Sequence, residues 1–147
     1  MEEQKPPVSS DGAYFAASGA TRDPEVTPSW IEIAGIDPIE MAPGLEFRPV
    51  VGSRMLVNFV HFEPNTLAPR HEHDEEQICF VLEGELEFEC DGETRVLRRG
   101  DVLHIPPGVP HAARTHDSTC LQVDVFAPPR QALLAHIRTS GEEHAES

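Results

Sequence analysis

Between residues 47 and 126 the chain is a series of short β-rich runs, each ended by turn residues, and this spacing limits the fold more tightly than any other feature. The runs cover 45–51, 55–62, 77–82, 85–90, 94–98, 102–105, 112–115 and 119–126, and Gly84, Asp91-Gly92, Arg99-Gly100-Asp101 and Pro106-Pro107-Gly108 punctuate them. Strands this short and this close together predict a sandwich or barrel. Asp-Gly between two alternating runs predicts a hairpin at 91–92. Glu85, Glu87 and Glu89 alternate with Leu86, Phe88 and Cys90, the period-two pattern of a strand with one wet face, so the acidic row reads as solvated surface. Helix signals are absent until the chain passes Pro128-Pro129. From 130 to 138, Leu133, Leu134 and Ile137 recur at helical spacing and predict a short helix packed on the sheets. The polar tail from Ser140 is expected to fray.

Residues 1–44 read differently. They are rich in Pro, Gly, Ser and Ala, with apolar clusters only at Tyr14-Phe15 and at 30–33. Pro24, Pro28, Pro38 and Pro43 rule out long helices and favour extended or edge-strand conformation. The expected organisation is an N-terminal extension over 1–44, a β domain over 45–130, and a short helix with a frayed tail over 131–147. A length of 147 residues suits one domain with its own core.

Composition then removes several function classes. No stretch approaches the roughly 18 apolar residues of a membrane span. The opening Met-Glu-Glu-Gln-Lys-Pro-Pro lacks the basic and apolar regions of a secretory signal, so the cytoplasm is the expected location. Twenty-six acidic against eleven basic residues give a net charge of −15, which repels phosphate backbones and anionic lipids and argues against nucleic-acid and membrane partners. Cys79, Cys90 and Cys120 are odd in number and lack C-x-x-C spacing, so they read as reduced, buried small hydrophobes. Leu121, Val123 and Val125 share one parity of the last run and need cover, and the extension offers an exchangeable strand, so a homodimer is expected.

Chemistry concentrates in two segments. In an extended chain, residues i and i+2 point to one face about 6–7 Å apart, so His71 and His73 can converge on one ion, and Gln77 shares their parity. The second segment ends in His111, directly after the Pro-rich turn Pro106-Pro107-Gly108. A lone H-x-H pair is more often plain surface than a metal site. A third imidazole and an amide change that balance. Three imidazoles and an amide oxygen without thiolate suit one divalent ion: Fe, Mn, Ni, Co or Zn. No ligand in this set carries charge, so the ion would keep its full +2 as a Lewis acid, and Fe(III) would be disfavoured.

The run His71-Glu72-His73, Gln77 and Gly84, followed by Gly100-Asp101 through Ile105-Pro106-Pro107-Gly108 to His111, resembles the two signature motifs of the cupin superfamily. The resemblance spans about residues 65 to 111 and departs from many members in having Gln77 where they have Glu. It implies an all-β fold, the cupin double-stranded β-helix or jelly-roll barrel, here with an N-terminal extension and a short C-terminal helix. It also implies that His71, His73, Gln77 and His111 all point inward as metal ligands.

The last run sorts its side chains by parity: Leu121, Val123 and Val125 on one side, Gln122, Asp124 and Phe126 on the other. If the polar side faces the lumen, Asp124 stands near the cation, either as a general base or as a group that orients a metal-bound histidine. Gln122 and Phe126 would line the same space against substrate. The stretch 124–130 is similar to the small single-domain cupins that open unsaturated uronates in pectin and alginate breakdown, which implies active-site roles for Asp124, Phe126 and Arg130. Arg130 would clamp a substrate carboxylate bidentately, or is a surface arginine at the helix start. The long extension departs from those short cupins. The expected function is non-redox metalloenzyme chemistry on a small carbonyl or hydroxy acid: isomerisation, ring opening, elimination or cyclisation. An Fe(II) dioxygenase and a non-catalytic ligand-binding barrel are the alternatives.

Overall fold

The computed structural model describes Gln4 and residues 12–145. The chain divides into two compact units, Met1–Ile31 and Glu32–Ser147. Among the described residues of the first, one 3-10 turn at Ala13–Phe15 buries nothing, and Tyr14, Phe15 and Trp30 are exposed. The end of the tail, residues 146–147, lies outside the described residues.

Among the described residues the second unit holds a 3-10 turn (Ile33–Gly35), ten strands and one α-helix: β1 (Ile39–Ala42), β2 (Leu45–Val51), β3 (Leu56–Phe62), β4 (Leu67–His71), β5 (Glu76–Glu83), β6 (Glu85–Cys90), β7 (Glu93–Arg98), β8 (Val102–Ile105), β9 (His111–Arg114), β10 (Cys120–Ala127) and α1 (Gln131–Ala145). The strands form two antiparallel sheets, one ordered β1-β2-β3-β10-β5-β8 and the other β4-β9-β6-β7. This is the all-β, two-sheet architecture expected from the run spacing, in the jelly-roll form that the cupin resemblance implies. A single bridge between Val81 and Arg99 stands outside the named strands. Among the described residues no helix is long and apolar enough to cross a membrane.

Alternation builds the core. In β3, Leu56, Asn58, Val60 and Phe62 are buried and the residues between them are half-exposed, so one parity faces inward. Val60, Phe62, Val81 and Ile105 of the larger sheet meet Leu86, Phe88 and Leu97 of the smaller one in one cluster. Each such side chain, fully buried, contributes about 1.5–3 kcal/mol. A second cluster, Leu56, Phe126 and Leu133, with Leu134 and Ile137 against it, seats α1. Asp91 and Gly92 form the hairpin turn between β6 and β7 with φ of 51° and 80°. Positive φ at both central residues matches the right-handed twist of the flanking strands. The outward acidic row pairs with arginines: Glu85 with Arg98 at 2.9 Å and Glu87 with Arg114 at 2.6 Å. The three cysteines are free thiols.

Two elements differ from the sequence reading. β4 was not among the expected runs because Pro69, Arg70 and His71 break its apolar pattern. It survives as an edge strand whose pairing with β9 shifts register between Ala68 and His71, a position where proline is tolerated. The helix also continues past residue 138 to Ala145. The polarity of that stretch argued against burial, which is a different matter from helicity, since Glu and Ala are good helix formers.

Candidate metal centre

His71 closes β4, His73 follows it, and His111 opens β9, so the pairing of β4 with β9 sets His71 opposite His111 in register. The Pro106-Pro107-Gly108 turn draws His73 in. Gly108, at φ +78°, donates its backbone N–H to the His73 carbonyl at 2.8 Å. The three rings lie 4.3, 5.0 and 5.7 Å apart between centroids, and each offers one ring nitrogen within 4.8 Å of the others. His73 and His111 are buried, whereas His71 is exposed.

The second ring nitrogen of each histidine is already committed. Nδ1 bonds the Pro69 carbonyl in His71 at 2.8 Å, the Glu75 carbonyl in His73 at 2.9 Å, and the Val109 carbonyl in His111 at 2.9 Å. A carbonyl only accepts, so each Nδ1 carries the proton and each Nε2 presents a lone pair, the tautomer a metal requires. His111 Nε2 is buried with no hydrogen-bond partner. His73 Nε2 faces Gln77 Oε1 at 3.0 Å, two acceptors brought together with no proton between them. Flipping the amide would only move the conflict, because Gln77 Nε2 donates to Asp124 Oδ1 at 2.7 Å. The donor set therefore fits a divalent cation on His71, His73, His111 and the Gln77 oxygen.

Behind Gln77 stands Asp124 on β10. Its Oδ1 accepts from Gln77 and also from Gln122 Nε2 at 2.8 Å. Burial pushes its carboxyl up to about 7, against the Gln77 hydrogen bond and the nearby Arg130 charge. Burial also pushes the His111 imidazole down to about 4. His73 is lowered by burial and then by Arg130. Phe126 sets its ring edge-on to His73 at 5.5 Å.

A cavity of about 330 Å³ lies against this cluster, lined by His71, Gln77, His111, Gln122, Asp124, Phe126 and Arg130 among others. His73 opens instead onto an adjoining cleft shared with Arg130. The polar parity of β10 thus faces inward. Arg130 sits at the start of α1, where its carbonyl accepts from Leu134 N–H at 3.0 Å, yet its side chain turns inward to Glu75, 3.8 Å away. His61, His104 and His116 stand apart, each beside a glutamate at 3.2, 2.8 and 3.5 Å.

Two residues of the site escape sequence reasoning. Glu75, 5% exposed, accepts the first N–H of α1, from Gln131, at 2.9 Å and lies 3.7 Å from His73 Nδ1. Burial pushes its pKa up, but the backbone N–H groups and Arg130 outweigh that and hold it below the usual carboxylate range. Nothing in the sequence singles it out. Asn58 was legible in principle: it interrupts the apolar inward parity of β3, as Asp124 does in β10, and it lines the cavity.

Residues 58–126 match the family model of the cupin domain. The chain is 37% identical over 73 residues to dimethylsulfoniopropionate lyase DddQ of Ruegeria pomeroyi, which covers 49% of this chain and 36% of that protein. It is 27% identical over 97 residues to pectin degradation protein KdgF of Dickeya dadantii, covering 65% of this chain and 88% of that one. The solved structure of KdgF from Halomonas sp. is similar with a TM-score of 0.69 and 28% identity, over 73% of this chain and 99% of that one. The chain thus spans about a third of the length of the lyase and most of the length of the pectin degradation protein.

Proposed function

We propose that this chain, which carries a cupin domain over residues 58–126, is a metal-dependent enzyme of non-redox chemistry that isomerises, ring-opens, eliminates from or cyclises a small carbonyl or hydroxy acid. One observation carries the reading: three imidazole nitrogens within 4.8 Å of one another, with every Nδ1 spent on a backbone carbonyl. The residues that would hold the ion are His71, His73, Gln77 and His111. Bound there, a divalent ion such as Zn, Mn, Fe, Co or Ni supplies Lewis acidity toward a carbonyl, carboxylate or enolate oxygen.

The protein's own groups do the rest. Arg130, half-buried where the cavity meets the outer cleft, receives a substrate carboxylate as a planar two-point donor. Asp124 takes or returns the proton: its Oδ1 is held by Gln77 and Gln122, and the residue lines the cavity, so Oδ2 is the atom a substrate can reach. Phe126 and the apolar walls exclude water, which strengthens both interactions. The neutral donor set supports non-redox chemistry, because it offers no anionic ligand to stabilise a trivalent state. The similarity to a protein named as a lyase supports elimination within this class.

The test is elemental analysis of untagged protein followed by turnover assays on small carbonyl and hydroxy acids with and without oxygen. We expect one divalent ion per chain and turnover that persists anaerobically with Zn or Mn. Strict dependence on oxygen would replace this reading with an iron dioxygenase, and return of every bound acid unaltered would replace it with a ligand-binding barrel.

A further inference from the structure

We propose that the cavity beside the histidines selects a compact acid with an apolar body, an alkyl or aryl acid and not a polyhydroxylated sugar acid, and that Asn58, beside Asp124, recognises a single polar group away from Arg130. The inference rests on the proposed function only in placing the carboxylate at Arg130.

At about 330 Å³ the cavity is at the small end for ligand sites. Both sheets and the helix give it apolar walls: Phe47, Val60 and Phe62 from the larger sheet, Phe88 and Ala113 from the smaller, Leu133 from α1. Away from the metal centre and Arg130, its polar groups are confined to Asn58, Gln122 and Asp124, all on the inner face of the six-stranded sheet. Gln122 Nε2 donates to Asp124, whose Oδ1 is taken twice, and the Gln122 side chain also hydrogen-bonds the Cys79 thiol.

Asn58 is the exception. It is 1% exposed, and its Oδ1 is buried with no hydrogen-bond partner. Its neighbours in register do not help: Pro49 on β2 and the already occupied Asp124 on β10. Buried carboxamide oxygens are normally satisfied, so an unpartnered one on a residue that lines a cavity points to a ligand group that completes it. Asn58 pairs with Asp124, two residues back along β10 from Phe126, so it lies about 7 Å further from the Arg130 end. A ligand anchored at Arg130 reaches it with its far end. A sugar acid would bring several hydroxyls to walls that answer only one or two, and each one buried unpaired costs roughly tenfold in affinity or more.

The experiment is titration calorimetry on the full chain, both chelated and Zn-loaded, with three six-carbon acids: hexanoate, 6-hydroxyhexanoate and D-galacturonate. We expect hexanoate and 6-hydroxyhexanoate each to bind at least about tenfold more tightly than galacturonate. Asn58→Leu should weaken 6-hydroxyhexanoate about tenfold while leaving hexanoate unchanged or tighter. Galacturonate binding as tightly as hexanoate, equal effects of Asn58→Leu on the two linear acids, or binding of none of the three overturns the inference. The ranking on the wild type needs no variant, so a poorly folding Asn58→Leu leaves a decisive measurement. Because the chelated protein is tested as well, the cavity preference can hold while metal chemistry fails, and the reverse.

Discussion

His111→Leu should change sign between the metal-free and the metal-loaded protein. In the folded chain His111 is 3% exposed, stacks on Phe88 at 6.0 Å, and leaves Nε2 buried without a partner. A buried acceptor left unsatisfied costs about 1–3 kcal/mol, whereas the hydrogen bond from Nδ1 to Val109 returns only about 0.5–1.5 kcal/mol. Leucine is close to histidine in size, removes both terms, and keeps the apolar contact with Phe88. It also strips the donor from the Val109 carbonyl, but that bond is only part-buried, which holds the added cost down. In chelator, then, the variant should be neutral or up to about 2 kcal/mol more stable, a rise of up to roughly 8 °C in Tm at about 2–4 °C per kcal/mol for a chain of this length. With metal the order reverses. Zn or Mn at a hundred times its Kd should stabilise the wild type by about 2.7 kcal/mol, or roughly 5–11 °C, and should leave the variant where it was. Scanning calorimetry of both proteins with chelator and with metal reads all four values. A variant that loses several degrees in chelator would mean that His111 is an ordinary packed core histidine. A metal-dependent rise that survives the substitution would remove His111 from the ligand set, and the reasoning from tautomers with it.

Asp124→Asn should bind metal with unchanged stoichiometry and lose about 10²–10⁴ in kcat on any acid the wild type turns over; full activity would remove Asp124 from proton transfer. Glu75→Ala deletes the acceptor for the first N–H of α1, so it should cost about 1–2 kcal/mol, or roughly 2–8 °C in Tm, and an unchanged melting curve would deny the cap. The outer face of the six-stranded sheet exposes Ile78 (41%) and Val102 (66%), and we expect a homodimer there. Light scattering should give about twice 16.2 kDa, and Val102→Lys should lower it; a monomer mass at working concentration would contradict the expectation.

How much of this could be read from the chain depends on how local each signal is. β2, β6 and β8 have the same bounds as the runs drawn from the sequence, because alternation and a following turn are properties of a few consecutive residues. β4 was not legible, since a bulged edge strand has neither clean alternation nor apolar content. The proximity of His71 and His73 was legible through their i, i+2 spacing, whereas their meeting with His111, 38 residues on from His73, was expected only through the resemblance to the cupin motifs. Glu75 was not. Its work is to receive a helix N-terminus that arrives from 56 residues away, and neither its neighbours nor its residue type announces that.

The same distinction explains the choice of glutamine at 77. Read along the chain, Gln77 is a neutral substitute for the glutamate many cupins carry, and its effect is simply one less negative charge on the ion. In the folded protein the charge is displaced and not lost, because the Gln77 amide turns its oxygen to His73 and its nitrogen to Asp124. Glutamate at 77 would set two carboxylates at that 2.7 Å contact, and like charges so close cannot both ionise. One would hold a proton shared with the other, so the two would titrate as a coupled pair instead of leaving Asp124 as a separate carboxylate. Gln77, Gln122 and Asp124 therefore form a matched set, in which two amide donors keep one carboxylate fixed while its second oxygen stays available to the cavity. In the proposed function the Asp124 carboxylate would thus sit one hydrogen bond behind Gln77, close enough to orient that amide and far enough to leave a bound cation open to substrate.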